Sequence, residues 1–202
     1  TDVAWALRNW TAWNWLSGGQ FVEQIVHTID GMVWSMNEQL PLAAFGSGGR
    51  AQRRDDGDVW DHYDVYFEYD HNVTAHISCR QWVGCHGEIV DRTICEKGML
   101  VTPYRPYIQA NNRWRFRGER GNMYADTHVA FYRFLRSGTW TQTLESAANK
   151  TLAAIMGREA AHTGQRITWE QIKKSTARLM PEDLTMDTPL PPARIPRPGR
   201  TA

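Results

Sequence analysis

The sequence predicts an α+β domain: an open, predominantly antiparallel β-sheet with helices packed on one face. Three observations carry that expectation. Apolar residues recur at helical spacing from Phe21 to Val33, from Tyr124 to Arg136 and from Ser146 to Thr163. Between them, from His62 to Trp82, apolar and polar residues alternate with a period of two. The links between the central runs are too short for crossover helices, which makes neighbouring strands antiparallel. Helices, then strands, then helices is the order of an α+β layer structure.

Each element has its own signal. Residues 2–16 are aromatic, lack Gly and Pro, and end at Ser17-Gly18-Gly19, a turn that launches the next helix. That helix carries Phe21, Val22, Ile25, Val26, Ile29, Met32 and Val33 on an oily face, and Pro41 lies beyond it. Leu42-Ala43-Ala44-Phe45 reads as a short strand opening into a glycine turn, Gly46-Ser47-Gly48-Gly49, and a charged loop, 50–58. His62, Asp64, Tyr66 and Glu68 alternate with Tyr63, Val65, Phe67 and Tyr69, and Asp70-His71-Asn72 turns the chain back as a hairpin. A third run, 88–96, turns at Lys97-Gly98 into Met99-Leu100-Val101, and Trp114-Arg115-Phe116-Arg117 has the charges of an edge strand. Gly164 suits the residue after a helix end, and Thr168 with Gln171 has the spacing of a capping box. Residues 1–185 are read as one domain and 186–202 as a Pro-rich extended tail.

Composition excludes several classes. A net charge of +1, from 23 basic and 22 acidic residues, supplies no field for nucleic acid or an anionic membrane. Apolar runs fall short of the roughly 20 residues that span a bilayer, so a soluble chain without membrane partners is expected. The compartment stays unassigned. Cys79, Cys85 and Cys95 fit neither a metal motif nor a disulfide framework and are expected to be free and mostly buried. His62, His76, His86 and His128 have no mutual metal-ligand spacing, and no metal site is expected. Ten tryptophans in 202 residues are unusual. Such rings either fill a core or stack on sugar faces; Trp13 and Trp15 are the candidates for stacking.

On one uninterrupted helix Glu23, His27 and Asp30 share a face. By pattern alone that stripe is either a solvated face or a mount for general acid/base chemistry, in which a carboxylate one turn from an imidazole orients it and adjusts its affinity for protons. Arg80 and Gln81, at the end of a strand, are candidates to hydrogen-bond substrate hydroxyls, with a structural ion pair the equal alternative for Arg80, and for Arg158 a pairing to the sheet or the tail is expected.

Gly18-Gly19-Gln20, Glu23-Gln24 with His27 and Asp30, Gly48-Gly49-Arg50, Cys79-Arg80-Gln81 and Ala154-Ile155-Met156-Gly157-Arg158, in that order, resemble the Gfo/Idh/MocA oxidoreductases, and more narrowly their second, substrate-facing domain. The resemblance covers almost the whole chain. It implies a two-domain enzyme with NAD or NADP on an N-terminal Rossmann domain, a sugar or polyol substrate, and an open sheet that makes homo-oligomer contacts. It also implies that His27 takes a proton from a sugar hydroxyl, that Asp30 orients or tunes His27, and that Glu23 stands at the family's first acidic position, where Asp is common. Thr127-His128 departs from a Glu-His pair found in many relatives. No dinucleotide fingerprint is present, because Gly46-Ser47-Gly48-Gly49-Arg50 runs into a charged loop instead of a helix. No cofactor is therefore expected on this chain, and the chain alone is expected to be inactive in redox chemistry.

Two other functions compete. One is a glycosidase or lyase-like enzyme using Glu23, His27 and Asp30; direct hydrolysis needs carboxylates about 5 or about 6.5–9.5 Å apart, and two helical turns give about 10.5 Å of rise. The other is a non-catalytic oligomerising or carbohydrate-binding module, for which an exposed row of Tyr63, Val65, Phe67 and Tyr69 would pair with a second copy.

Overall fold

The computed structural model describes residues 1–102, 106–119, 121–139 and 143–199. In chain order the elements are α1 (Asp2–Arg8), α2 (Asn14–Ser17), α3 (Gln20–Glu23), α4 (Val26–Ser35), β1 (Ala43–Gly49), β2 (His62–Glu68), β3 (Thr74–Arg80), β4 (Asp91–Cys95), β5 (Gly98–Thr102), β6 (Tyr107–Ala110), β7 (Trp114–Arg115), α5 (Met123–Ser137), α6 (Leu144–Thr163), β8 (Ile167–Thr168) and α7 (Trp169–Lys173). The α+β class holds, with two four-stranded antiparallel sheets in place of one. The contacts divide the chain into two compact units, one made of 1–85 with 147–202 and the other of 86–146.

In the first unit the strand order is β3-β2-β1-β8. Tyr63, Val65, Phe67 and Ile77 point from this sheet into a core shared with Phe21, Ile29 and Val33 of α3 and α4 and with Ala153, Ala154, Met156, Ala160 and Ala161 of α6. The row expected to pair with a second copy is therefore buried under helices. The opposite face carries His62, Asp64, Tyr66 and Glu68, with Phe45, Tyr66 and His76 stacked in a row across three strands. Small residues on α6 let it approach closely; a Cβ at Gly157 would stand 2.6 Å from Phe21 and 2.8 Å from Phe67.

Three local expectations are corrected. The helix expected from Phe21 to Val33 is broken at Gln24-Ile25. The Ile25 N–H reaches five residues back to Gln20, and the His27 N–H only three back to Gln24. Across the irregular turn Phe21 and Ile29 are both fully buried in the core beneath the sheet. Glycines 46, 48 and 49 lie within β1, in register with Val65, Tyr63 and His62, and do not form a turn. A Cβ at Gly48 would stand 2.4 Å from the His62 carbonyl oxygen and 2.9 Å from Trp60, so a close approach selects glycine there, not a bend. Finally, all three cysteines are free, as expected, but Cys85 and Cys95 are exposed: one follows a surface turn and the other ends β4.

Cys79, packed at the edge of the core, has its thiol pushed up to about 12 by burial. A thiol-exchange reagent on the native chain is expected to label Cys85 and Cys95 quickly and Cys79 only on unfolding. Equal rates at all three would contradict this packing.

Other elements follow the sequence. The hairpin turns through Asp70–Asn72, where His71 and Asn72 adopt φ 59 and 58. The capping box forms, with the Thr168 hydroxyl accepting from the Gln171 N–H. Gly164 ends α6 at φ 69. The tail carries no regular element among its described residues and is tied down at three points: the Leu190 N–H donates to Asp2, the Trp60 indole N–H to the Pro196 carbonyl and the Gly199 N–H to the Thr163 carbonyl. Residues 200–202 lie outside the described residues.

The second unit is a sheet in the order β4-β5-β6-β7 with α5. Trp114-Arg115 forms its edge strand, as the charges predict. Asn122 caps α5 by accepting from the Tyr124 and Ala125 N–H groups, and Gly138 ends it at φ 65. Among its described large apolar side chains only Val101 is buried.

Candidate functional site

The residues singled out from the sequence fall into three places. Glu23 closes α3 and is half-buried, while His27 stands exposed in the first turn of α4, just past the break. Among the described residues no hydrogen bond joins the Glu23, His27 and Asp30 side chains. Asp30 instead pairs with Lys150 of α6 at 2.6 Å, and Lys150 also reaches Glu38 at 3.1 Å. The hydrogen bond that Lys150 donates to Asp30 foremost, with that to Glu38, outweighs burial and raises the affinity of Lys150 for its proton.

Gln81 comes to the same break. Its side-chain amide donates to Gln24 Oε1 at 3.4 Å, and its backbone N–H donates to the Asp61 carbonyl at 2.8 Å. Arg80, one residue earlier, alternates to the other face of the sheet, where its guanidinium lies 5.4 Å from the Trp82 ring centre. Trp13 is a core ring, packed with Ala6 and Ala12 and edge-on to Trp5 at 6.0 Å; Trp15 is half-buried at the rim of that cluster. Among the described residues Arg158 pairs with neither sheet nor tail. It is buried and donates to the Gly18 carbonyl at 3.0 Å and to Glu159, and so fixes the glycine turn that launches α3.

Two polar clusters escaped the sequence reading. In the first, Tyr63 Oη and His162 Nε2 are 2.9 Å apart beside Trp60. Burial, with the charge of Arg158, pushes the His162 imidazole down to about 3, so it is neutral in use. In the second, the carboxylate of Asp61 is almost wholly buried and accepts from the N–H groups of Ala51, Gln52 and Arg53, from His62 Nδ1 at 2.9 Å and from Trp82 Nε1 at 3.1 Å. Burial pushes Asp61 up, but the hydrogen bonds from His62, the backbone and Trp82 overcome it and hold the carboxyl below the usual carboxylate range. The only signal in the sequence is an Asp-His step at the start of a strand, directly after an Arg/Asp-rich loop.

Because Gly46-Ser47-Gly48-Gly49 is paired strand, it offers no strand-to-helix turn for a pyrophosphate. Gly46-Ser47-Gly48-Gly49-Arg50 is therefore not a pyrophosphate cradle. Among the described residues no group of three His, Cys, Asp or Glu side chains is placed to hold a metal ion, and no helix is long and apolar enough to cross a membrane.

No family model and no curated protein matches the sequence. Solved structures do. A Thermotoga maritima protein described as an oxidoreductase is 20% identical with a TM-score of 0.63, the match covering 77% of this chain and 48% of that one. The aldose-aldose oxidoreductase from Caulobacter crescentus, solved with glycerol, is 13% identical with a TM-score of 0.64, covering 79% and 50%. UDP-N-acetylglucosamine 3-dehydrogenase from Acidithiobacillus ferrooxidans is 12% identical with a TM-score of 0.58, covering 67% and 44%. At these identities the likeness is one of fold. These neighbours are described as oxidoreductases or a dehydrogenase, and the chain has the fold of part of such a protein, as the resemblance read from the sequence implies, spanning about half the length of the solved structures it matches.

Proposed function

We propose that this chain is the substrate-facing part of a sugar or polyol oxidoreductase, with His27 as the base that takes a proton from a substrate hydroxyl. One observation carries the reading: the Gln81–Gln24 hydrogen bond brings the end of β3 to the helix break between Glu23 and His27, uniting motifs 57 positions apart. The segment that Gln81 reaches carries Glu23, Gln24 and His27 within five residues, residue types that supply donors and acceptors suited to hydroxyl groups. Asp30, tied to Lys150, holds α4 against α6 and so fixes the helix that mounts His27. The oxidoreductase fold of the neighbours supports redox chemistry over hydrolysis. Hydride acceptance is what a nicotinamide cofactor supplies in such proteins when bound. The glycine stretch of β1 is no phosphate cradle for one, and by itself the chain is expected to bind substrate without turning it over.

Calorimetric titration of the 202-residue chain with a panel of aldoses and polyols tests this. Weak binding is expected, with no reduction of added NAD. His27→Ala should weaken binding about tenfold, as for loss of one hydrogen bond to an imidazole. Its melting temperature should stay within a degree or two, because the ring is exposed. Undiminished binding by His27→Ala would sink the assignment.

A further inference from the structure

We propose that His62, held from behind by Asp61, is a second ligand-contacting group, one that accepts a hydrogen bond from a hydroxyl of a small polyhydroxylated ligand. The ligand class rests on the function proposed above; the site rests on its own geometry.

The carboxylate of Asp61 is committed. Oδ2 accepts from the N–H groups of Gln52 at 2.7 Å and Arg53 at 2.8 Å, Oδ1 from His62 Nδ1 and Trp82 Nε1, and the Ala51 N–H lies 3.0 and 2.9 Å from the two oxygens. With its oxygens engaged, Asp61 acts on a ligand through His62. An ionised carboxylate is an acceptor only, so His62 Nδ1 carries the proton, and in the neutral ring Nε2 carries the lone pair. The side chain of His62 is 33% exposed, and among the described residues Nε2 has no hydrogen-bond partner. A buried carboxylate behind an imidazole with its far nitrogen open is the arrangement that fixes both tautomer and ring orientation.

Gly49 supplies the second observation. It is the register partner of His62, and a Cβ there would stand 3.3 Å from His62 Cε1 and 3.7 Å from Nε2. Its φ is not in the left-handed region, so the backbone does not call for glycine. What glycine leaves at this position is open space along the imidazole edge that bears the free nitrogen. Trp82 forms a wall, its ring 5.2 Å from His62 and edge-on, locked by its own bond to Asp61. Gln81, between Arg80 and Trp82, links this corner through the Asp61 carbonyl to the break beside His27.

The test uses the whole 202-residue chain, isotope-labelled, titrated with myo-inositol and with D-glucose while the ring nitrogens of His27 and His62 are followed separately by NMR. A shift at His62 Nε2, reduced about tenfold in apparent affinity by Gly49→Val, which covers the imidazole edge but leaves Asp61 and His62 in place, is the expected result. A response at His27 alone would overturn the His62 site and leave the proposed function standing. A response at His62 alone would do the reverse. Silence at both rings would overturn both. If Gly49→Val unfolds, calorimetric titration of His62→Phe, which keeps the ring volume and removes the nitrogen, should show the same roughly tenfold loss of affinity for myo-inositol, and undiminished affinity would overturn the site.

Discussion

Asp61→Ala is expected to cost about 3–5 kcal/mol of folding stability, because it leaves three backbone N–H groups, an imidazole N–H and an indole N–H without their acceptor. Against a net stability of about 5–15 kcal/mol, that is a large fraction. The loop from Arg50 to Trp60 would lose its centre, although Arg50 and Arg53 would still hold Asp55. Asp61→Asn conserves shape but should fall nearly as far, since its amide would turn a donor toward the N–H groups of Gln52 and Arg53. Urea midpoints for the three proteins check this. A loss below about 1 kcal/mol, the range of ordinary surface changes, would mean that the cage is not a stabilising feature.

The same carboxylate sets an acid limit. Its folded affinity for protons is depressed, so the unfolded chain takes up a proton first as pH falls. The stabilisation is complete above the unfolded value, about 3.9, and declines below it at about 1.4 kcal/mol per pH unit. Wild type should lose stability more steeply than Asp61→Ala below about pH 4; parallel curves would contradict the assignment.

Gly157→Val is expected to be the other large loss, about 3 kcal/mol and roughly 6–12 °C in melting temperature. Valine is a better helix former than glycine, so local propensity favours the change. Packing opposes it: its Cβ would stand 2.6 Å from Phe21 and 2.8 Å from Phe67, both fully buried rings that have nowhere to move. Gly31→Ala is the control. A Cβ at Gly31 would meet no atom within 4 Å, and the substitution should stabilise α4 by about 0.5–1 kcal/mol. If Gly157→Val melted with wild type, the tight seat of α6 on the sheet would be wrong.

The hairpin, the capping box, the α6 stop at Gly164 and the edge strand at Trp114 were legible because each is written locally: alternation, an Thr–Gln spacing, a glycine after the last periodic residue. The break at Gln24-Ile25 was not. No Gly or Pro marks it, and the shift in main-chain hydrogen bonding that defines it leaves no trace in the pattern of apolar residues. The glycines of β1 misled for a different reason, since their use lies in the neighbouring strand and not in a turn. Within the candidate site, His27 and Gln81 were visible as residue types in a recognisable order. The Asp61 cage was not, because three of its donors are main-chain groups that carry no sequence signal.

The first unit is discontinuous: α6, β8, α7 and the tail belong to it, yet 61 residues of the second unit, 86–146, stand between them and the β1–β3 sheet. A ribosome therefore releases Tyr63, Val65 and Phe67 long before it releases the Ala-rich helix that covers them. At about 5–20 residues per second, this half-sheet spends several seconds with its greasy side bare, a window in which a chaperone or a neighbouring nascent chain competes with α6 for that face. The tail crosses Trp60 and Asp2, so the first unit is complete only once residues 190–196 have emerged as well.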